Sequence, residues 1–106
     1  MAVPFEVAVL EGSGGPLVRV RGDLDMVSVA YLSDVLDGLA SDGHVHLRLD
    51  LSDVTFVDSR GVAAIIAASR SWSRDGRSLE IVRGSPTIMR VFEALGIEAA
   101  LPFVDP

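Results

Sequence analysis

Within the stretch Asp58-Ser59-Arg60-Gly61, the first three residues carry the side chains of this sequence that are best placed for chemistry. Before them, apolar and polar residues alternate, which is typical of a strand with one buried face. After them, apolar residues recur at helical spacing. Ser59 is therefore predicted to lie at the start of a helix, where the helix dipole and unpaired backbone N–H groups favour a phosphate or another anion.

The residues alone leave two interpretations of Ser59 open. In the first, the hydroxyl only caps the helix, because Asp and Ser side chains accept hydrogen bonds from the free amides of a helix start. In the second, Ser59 is a phosphorylation switch. A phosphate would add about 1.5 to 2 negative charges. The helix start would tolerate them, whereas a partner surface shaped for a neutral hydroxyl would not.

Other sets of reactive residues give weaker predictions. The two histidines, His44 and His46, lie two residues apart on a predicted strand and lack a third ligand, so we predict no metal site. A triad assembled from Ser59, His44 and either Asp25 or Asp58 lacks the Gly-x-Ser-x-Gly turn of a hydrolase. We therefore expect no catalytic residue and no cofactor, and a protein that is not an enzyme.

Composition narrows the classes of function further. A chain of 106 residues, 49% of them hydrophobic, can build one core, so a single domain over residues 1–106 is expected. The net charge of −6 argues against direct nucleic-acid binding, which needs a basic surface. We find no apolar run long enough to span a bilayer and no secretory signal, and we predict no membrane insertion. The lack of cysteine fits the cytoplasm, which is the predicted location.

The periodicity predicts the order β-β-α-β-α-β-α with a possible final strand. The strands are predicted over residues 5–9, 17–21, 45–51 and 79–82. Alternating strands and helices favour an α/β fold with a partly parallel sheet covered by helices. This places Ser59 at the carboxyl end of the third strand, the edge where α/β folds usually carry their function.

The helix boundaries follow from capping residues and glycines. Ser28 is predicted to cap the first helix, which closes at residues 41–43, and the second helix is predicted to run to about Arg74. Ser85 is predicted to cap the third helix, which Gly96 ends. The core positions predicted on the second and third helices are Ile65, Trp72, Ile88, Val91, Phe92 and Leu95.

Three stretches resemble one known family. Residues 49–62 resemble the central motif of STAS domains, as in anti-sigma factor antagonists, where a strand leads through an aliphatic-Asp-Ser-Ser/Thr-Gly-aliphatic turn into a helix. Residues 22–25 resemble the family's Gly-Glu/Asp-Leu-Asp turn, and residues 85–97 resemble its last helix. The resemblance covers nearly the whole chain. It implies a STAS-like α/β fold with a mixed four- to five-stranded sheet covered by about four helices.

The resemblance also implies a function. Ser59 falls on the family's phosphorylated serine, in an antagonist that binds an anti-sigma factor which is also a serine kinase. That kinase uses ATP to phosphorylate the antagonist and switch it off, and a serine phosphatase resets it. For Asp23 and Asp25, turn stabilisation is an equally good interpretation. The partner-binding residues that the resemblance implies are Asp23, Asp25, Asp58, Ser59, Arg60 and Gly61.

Arg60 departs from the family pattern, which commonly has a second Ser or Thr there. Because arginine is always charged, it could pair with a phosphate on Ser59, redirect or block the usual kinase, or dock on an acidic partner. The departure motivates an alternative function, a non-phosphorylated STAS interaction module such as a scaffold or transporter accessory subunit. A nucleotide or small-molecule binder is a third possibility, for which no adenine or ribose contact can be named.

Overall fold

A computed structural model describes residues 4–106 of the chain. The predicted order of elements is confirmed, with three α-helices and one short 3-10 helix where about four helices were expected. Residues 1–3 of the predicted domain lie outside the described part. The elements in chain order are β1 (Glu6–Leu10), β2 (Leu17–Leu24), α1 (Ser28–Ser41), β3 (His46–Val57), α2 (Ser59–Ser73), β4 (Ser78–Val82), α3 (Pro86–Ala94), the 3-10 helix (Glu98–Ala100) and β5 (Phe103–Val104).

The five strands form one mixed sheet in the order β1-β2-β3-β4-β5. β1 and β2 are antiparallel, whereas β2, β3, β4 and β5 run parallel to their neighbours. This arrangement confirms the mixed α/β fold predicted from the sequence. Because β2, β3, β4 and β5 are parallel, their carboxyl ends lie at the same edge of the sheet.

The core lies on one face of the sheet. In β2, Val18, Val20 and Leu24 are fully buried, while the alternating Arg19 and Arg21 are exposed, as a strand with one covered face requires. All three α-helices contribute to the same apolar cluster. Its helical members are Leu32, Leu36, Val62, Ile65, Trp72, Ile88, Met89 and Phe92.

The third strand is longer than predicted. It covers His46–Val57 instead of residues 45–51, and Val45 is exposed before it. Its pairing with β2 contains two register shifts, and its last buried apolar residues, Leu51, Val54 and Val57, are three apart. The two-residue alternation therefore ends at Leu51, although the strand continues to Val57.

Two details of the helices differ from prediction. Ser28 is the first residue of α1 and does not cap it; the carboxylate of Asp25 accepts hydrogen bonds from the N–H groups of Val27 and Ser28 instead. Leu95, predicted in the core, is exposed just after the end of α3. The Ser85 cap of α3 is confirmed, because its hydroxyl accepts from the Ile88 N–H. None of the helices within residues 4–106 has the length and apolar character needed to cross a bilayer.

Candidate functional site

The candidate site lies at the carboxyl ends of β2 and β3. These strands are parallel neighbours in which Leu24 pairs with Val57, so the segments that follow them leave the sheet side by side. The N–H of Asp58 donates to the carbonyl oxygen of Leu24 at 3.4 Å, which ties the two exits together. The turn after β2 and the first turn of α2 therefore form one surface.

Asp58 caps α2. Its Oδ1 accepts hydrogen bonds from the N–H of Arg60 at 3.0 Å and of Gly61 at 2.9 Å, and its carbonyl accepts from Val62 at 3.0 Å. The interpretation of Ser59 as the cap is therefore wrong. Ser59 is the first helical residue, and it is exposed.

Gly61 allows the two exits to approach each other. It is buried, and a Cβ added there would lie 2.4 Å from the Leu24 carbonyl oxygen and 2.7 Å from Cγ2 of Val57. Real Cβ atoms do not come so close to a backbone oxygen. A side chain at this position would push α2 away from the end of β2. Gly61 is buried under the site, and its lack of a side chain fixes the distance between these two elements.

Asp23 and Asp25 hold the turn between β2 and α1. The hydroxyl of Thr55 donates to Oδ1 of Asp23 at 2.7 Å, across the pair of strands. Oδ1 of Asp25 accepts from the Val27 N–H at 3.0 Å and the Ser28 N–H at 3.1 Å. The bond from the Ser28 backbone N–H is the main reason that the pKa of Asp25 lies below its ordinary value. The Asp23 carboxylate therefore links the end of β2 to β3, and the Asp25 carboxylate stabilises the turn before α1.

Arg60 reaches from α2 back to the turn after β2. Its Nη1 contacts Sδ of Met26, and both residues are exposed. Among residues 4–106, the carboxylate ion pairs involve Arg19, Arg48, Arg77 and Arg83 and do not include Arg60. The guanidinium at the site thus lies against a thioether, which is a weak acceptor.

Three apolar residues that lie next to the site in the chain have exposed side chains. Met26, Val27 and Phe56 are all exposed, Val27 by 78%, and we call them the apolar patch. Exposed apolar side chains are ordinary when they are scattered, but a group at a functional edge is typical of a protein-binding surface. None of the three was predicted as a site residue from the sequence. The sequence feature that could have indicated them is their position next to predicted site residues. Met26 and Val27 follow Asp25, and Phe56 lies two residues before Asp58.

A cleft of about 580 Å³ adjoins the apolar patch, between β1 and the start of α1. The rings of Phe5 and Tyr31 meet edge to face across it, with centroids 6.1 Å apart. The cleft combines apolar walls with carboxylates. Its lining residues are Phe5, Glu6, Val7, Asp23, Asp25, Val27, Ser28 and Tyr31.

The structure does not bring the histidines to the site. His46 begins β3, and its Nδ1 lies 2.7 Å from Oγ of Ser78, whereas Ser59 follows the other end of the same strand. A strand of this length, 12 residues, separates its ends by about 35 Å. A triad of Ser59 with His44 is therefore not formed. No group of three or more potential metal ligands occurs within the described range, residues 4–106.

The fold and the sequence are those of a STAS domain. The family model described as "Mlab, STAS domain" matches residues 8–104, so the chain belongs to the STAS domain family. The resemblance stated from the sequence is confirmed. Within the family, an anti-sigma-B factor antagonist of Staphylococcus aureus is 30% identical over 81 residues, which are 76% of this chain and 75% of that protein.

Solved structures agree with this assignment. An anti-sigma factor antagonist from Mycobacterium paratuberculosis superposes with a TM-score of 0.86 at 23% identity, over 100% of this chain and 92% of that one. The Bacillus cell fate determinant SpoIIAA in its phosphorylated form gives a TM-score of 0.72 at 19% identity, over 97% of this chain and 91% of that one. At these identities the likeness shows the fold.

Proposed function

We propose that this STAS domain is an anti-sigma factor antagonist that binds an anti-sigma factor serine kinase and is switched off by phosphorylation of Ser59. A serine phosphatase then restores the binding form. In this proposal the chain is a binder and a kinase substrate, not a catalyst, and it works in the cytoplasm as one domain. Its relatives in the family carry the name of anti-sigma factor antagonists, which supports the general class.

The exposure of Ser59 at the capped start of α2, next to the end of β2, carries the proposal. A kinase needs to reach the hydroxyl, and a partner that covers the turn after β2 and the first turn of α2 would cover Ser59 as well. Asp23 and Asp25 position the turn that presents the patch, and Asp58 and Gly61 position α2. The candidate binding residues therefore form two groups: residues that would contact the partner, and residues that hold the contacting residues in position.

Phosphorylation would disrupt such an interface through charge. The phosphate brings about 1.5 to 2 negative charges to a surface whose neighbour, Asp58, already carries a carboxylate. A partner that fits the neutral hydroxyl would have to bury these charges without their water, which is costly unless they are paired. The core lies between the sheet and the helices and does not include the exposed hydroxyl of Ser59. The domain should therefore stay folded while its affinity for the partner falls.

The test begins with purified kinase partner, ATP and the intact protein. We expect one added phosphate by intact mass, located on Ser59 by peptide mapping, and no addition to Ser59→Ala. Ser59→Asp should weaken partner binding by about tenfold to a hundredfold, because it leaves a charge unpaired in the interface. A matched control is Ser73→Asp, at the exposed last residue of the same helix, which should bind like the wild type. An unmodified Ser59 together with unchanged binding of Ser59→Asp would contradict the proposal.

Arg60 favours a second candidate, a STAS interaction module without a phosphorylation cycle, such as a scaffold or a transporter accessory subunit. The observation is its long charged side chain where the family has a hydroxyl residue, lying directly beside Ser59. In that case the partner would bind with equal affinity to the wild type, Ser59→Ala and Ser59→Asp. Arg60→Ala would weaken binding, since the guanidinium would then be a constant contact.

A further inference from the structure

The amides at the start of α2 are already used, which changes what a phosphate on Ser59 would meet. The N–H groups of Arg60 and Gly61 donate to the Asp58 carboxylate, and the N–H of Val62 donates to the Asp58 carbonyl. Of the first amides of the helix, this leaves the N–H of Ser59. A phosphate dianion would therefore meet a neighbouring carboxylate and few free donors, and like charges this close repel.

A nearby cation would compensate this charge, and Arg60 is the arginine that follows Ser59 in the chain. The ion pairs within residues 4–106 already use Arg19, Arg48, Arg77 and Arg83. Arg60, in contrast, contacts the sulfur of Met26, an acceptor much weaker than a phosphate oxygen. Exchanging the thioether for a charged acceptor is favourable, because charge-assisted hydrogen bonds of a guanidinium are about twice as strong as neutral ones.

Because of helix geometry, the Arg60 side chain would have to move to exchange Met26 for the phosphate. Side chains one residue apart on a helix point about 100° away from each other, and the guanidinium now lies on the side of the turn after β2. To pair with a phosphate on Ser59, the flexible arginine stem must swing off Met26. The swing would uncover Met26, which belongs to the apolar patch.

We propose that Arg60 is the internal counter-ion of phosphorylated Ser59, and that it leaves Met26 when the phosphate arrives. This inference rests on the proposed phosphorylation of Ser59. It assigns regulation to a residue where the sequence departs from its family. Phosphorylation then changes the binding surface twice, because it adds a charged group at Ser59 and withdraws the arginine from the apolar patch.

The experiment installs phosphoserine at position 59 during protein synthesis, so it needs no kinase. Phosphorus NMR then follows the second ionisation of the phosphate, whose ordinary pKa is about 6. The samples are the wild-type sequence, Arg60→Gln, Arg60→Lys and, as a matched control on the exposed part of the same helix, Arg70→Gln. We expect Arg60→Gln to raise the phosphate pKa by about half a pH unit, Arg60→Lys to restore part of the difference, and Arg70→Gln to change nothing.

Methyl NMR of labelled methionine supplies an independent measurement. The Met26 signal should move when phosphoserine replaces Ser59 in the wild type and move much less in Arg60→Gln. Met89, which is buried in α3, is the internal reference. The proposal would be overturned by equal phosphate pKa values in the wild type and Arg60→Gln. It would also be overturned if the Met26 methyl signal did not shift when the phosphate is present. A kinase that fails to modify Ser59 would count against the proposed function alone, because these spectra do not depend on it.

Discussion

The carbonyl oxygen of Leu24 occupies the space that a side chain at Gly61 would need, since a Cβ there would lie only 2.4 Å from that oxygen. The end of β2 and the first turn of α2 therefore approach each other closely at Gly61. Gly61→Ala should therefore cost about 1–3 kcal/mol of unfolding free energy, because overpacking against a backbone atom cannot be relieved by a rotamer change. Urea unfolding followed by circular dichroism measures this loss.

Gly38 provides the matched control. It lies in α1, and a Cβ added there meets no atom within 4 Å. Gly38→Ala should stabilise the protein by about 0.4–1 kcal/mol, because alanine loses less conformational freedom in a helix. If both substitutions destabilise the protein equally, the contact between Leu24 and Gly61 is not the reason for the glycine.

Ile65 tests the core beneath the site. Its side chain is 1% exposed, on the face of α2 that packs on the sheet. Ile65→Ala should lower the unfolding free energy by about 2–5 kcal/mol, the range for a large apolar side chain replaced in a core. Ala63 is an exposed residue of the same helix, so Ala63→Ser is a suitable comparison and should cost less than about 1 kcal/mol. A loss below that level for Ile65→Ala in a denaturant titration would contradict the packing.

Periodicity predicted the elements well wherever one face of a strand or helix is buried. The alternation of Val18 and Val20 with Arg19 and Arg21 identified β2, although the strand continues past the predicted residue 21 to Leu24. Ile65 and Trp72 were correctly placed in the core. The signal failed in β3, where register shifts against β2 replace simple alternation. Such irregularities arise from the pairing of two strands, so the sequence of one strand does not reveal them.

The candidate site was predicted in outline, and its hydrogen bonds were not. Asp58 and Ser59 are both good capping residues, and composition cannot decide which of two adjacent side chains accepts the free amides. The structure assigns that role to Asp58 and thereby leaves Ser59 exposed. The apolar patch was missed because Phe56 lies beside a register shift between β2 and β3, and this pairing is a tertiary property.

Phe56 should contribute to binding and little to stability. Its side chain is 52% exposed in the apolar patch, so Phe56→Ala should change the unfolding free energy by less than about 1 kcal/mol. Affinity for the proposed kinase partner should fall about tenfold, because buried aromatic side chains are common anchors of interfaces. Leu95 is also 52% exposed but lies just past the end of α3. Leu95→Ala should leave calorimetric binding unchanged, and equal effects of both variants would remove the apolar patch from the interface.

Asp25 makes stability depend on pH in acid. Its pKa lies below the ordinary value of 3.8, mainly because the Ser28 backbone N–H donates to the ionised carboxylate. A lowered pKa in the folded state means that the ionised carboxylate stabilises the fold above the pKa of the unfolded chain. This contribution is lost as the pH falls through the folded value.

Asp25→Asn isolates this charge, since asparagine keeps an oxygen that can accept from the same amides. The difference in unfolding free energy between wild type and Asp25→Asn should be constant from about pH 5 to pH 7 and should shrink below about pH 4. Asp34→Asn, on an exposed position of α1, controls for the loss of one negative charge. A wild-type advantage over Asp25→Asn that grows on acidification would show that the Asp25 carboxylate does not stabilise the turn in its ionised form.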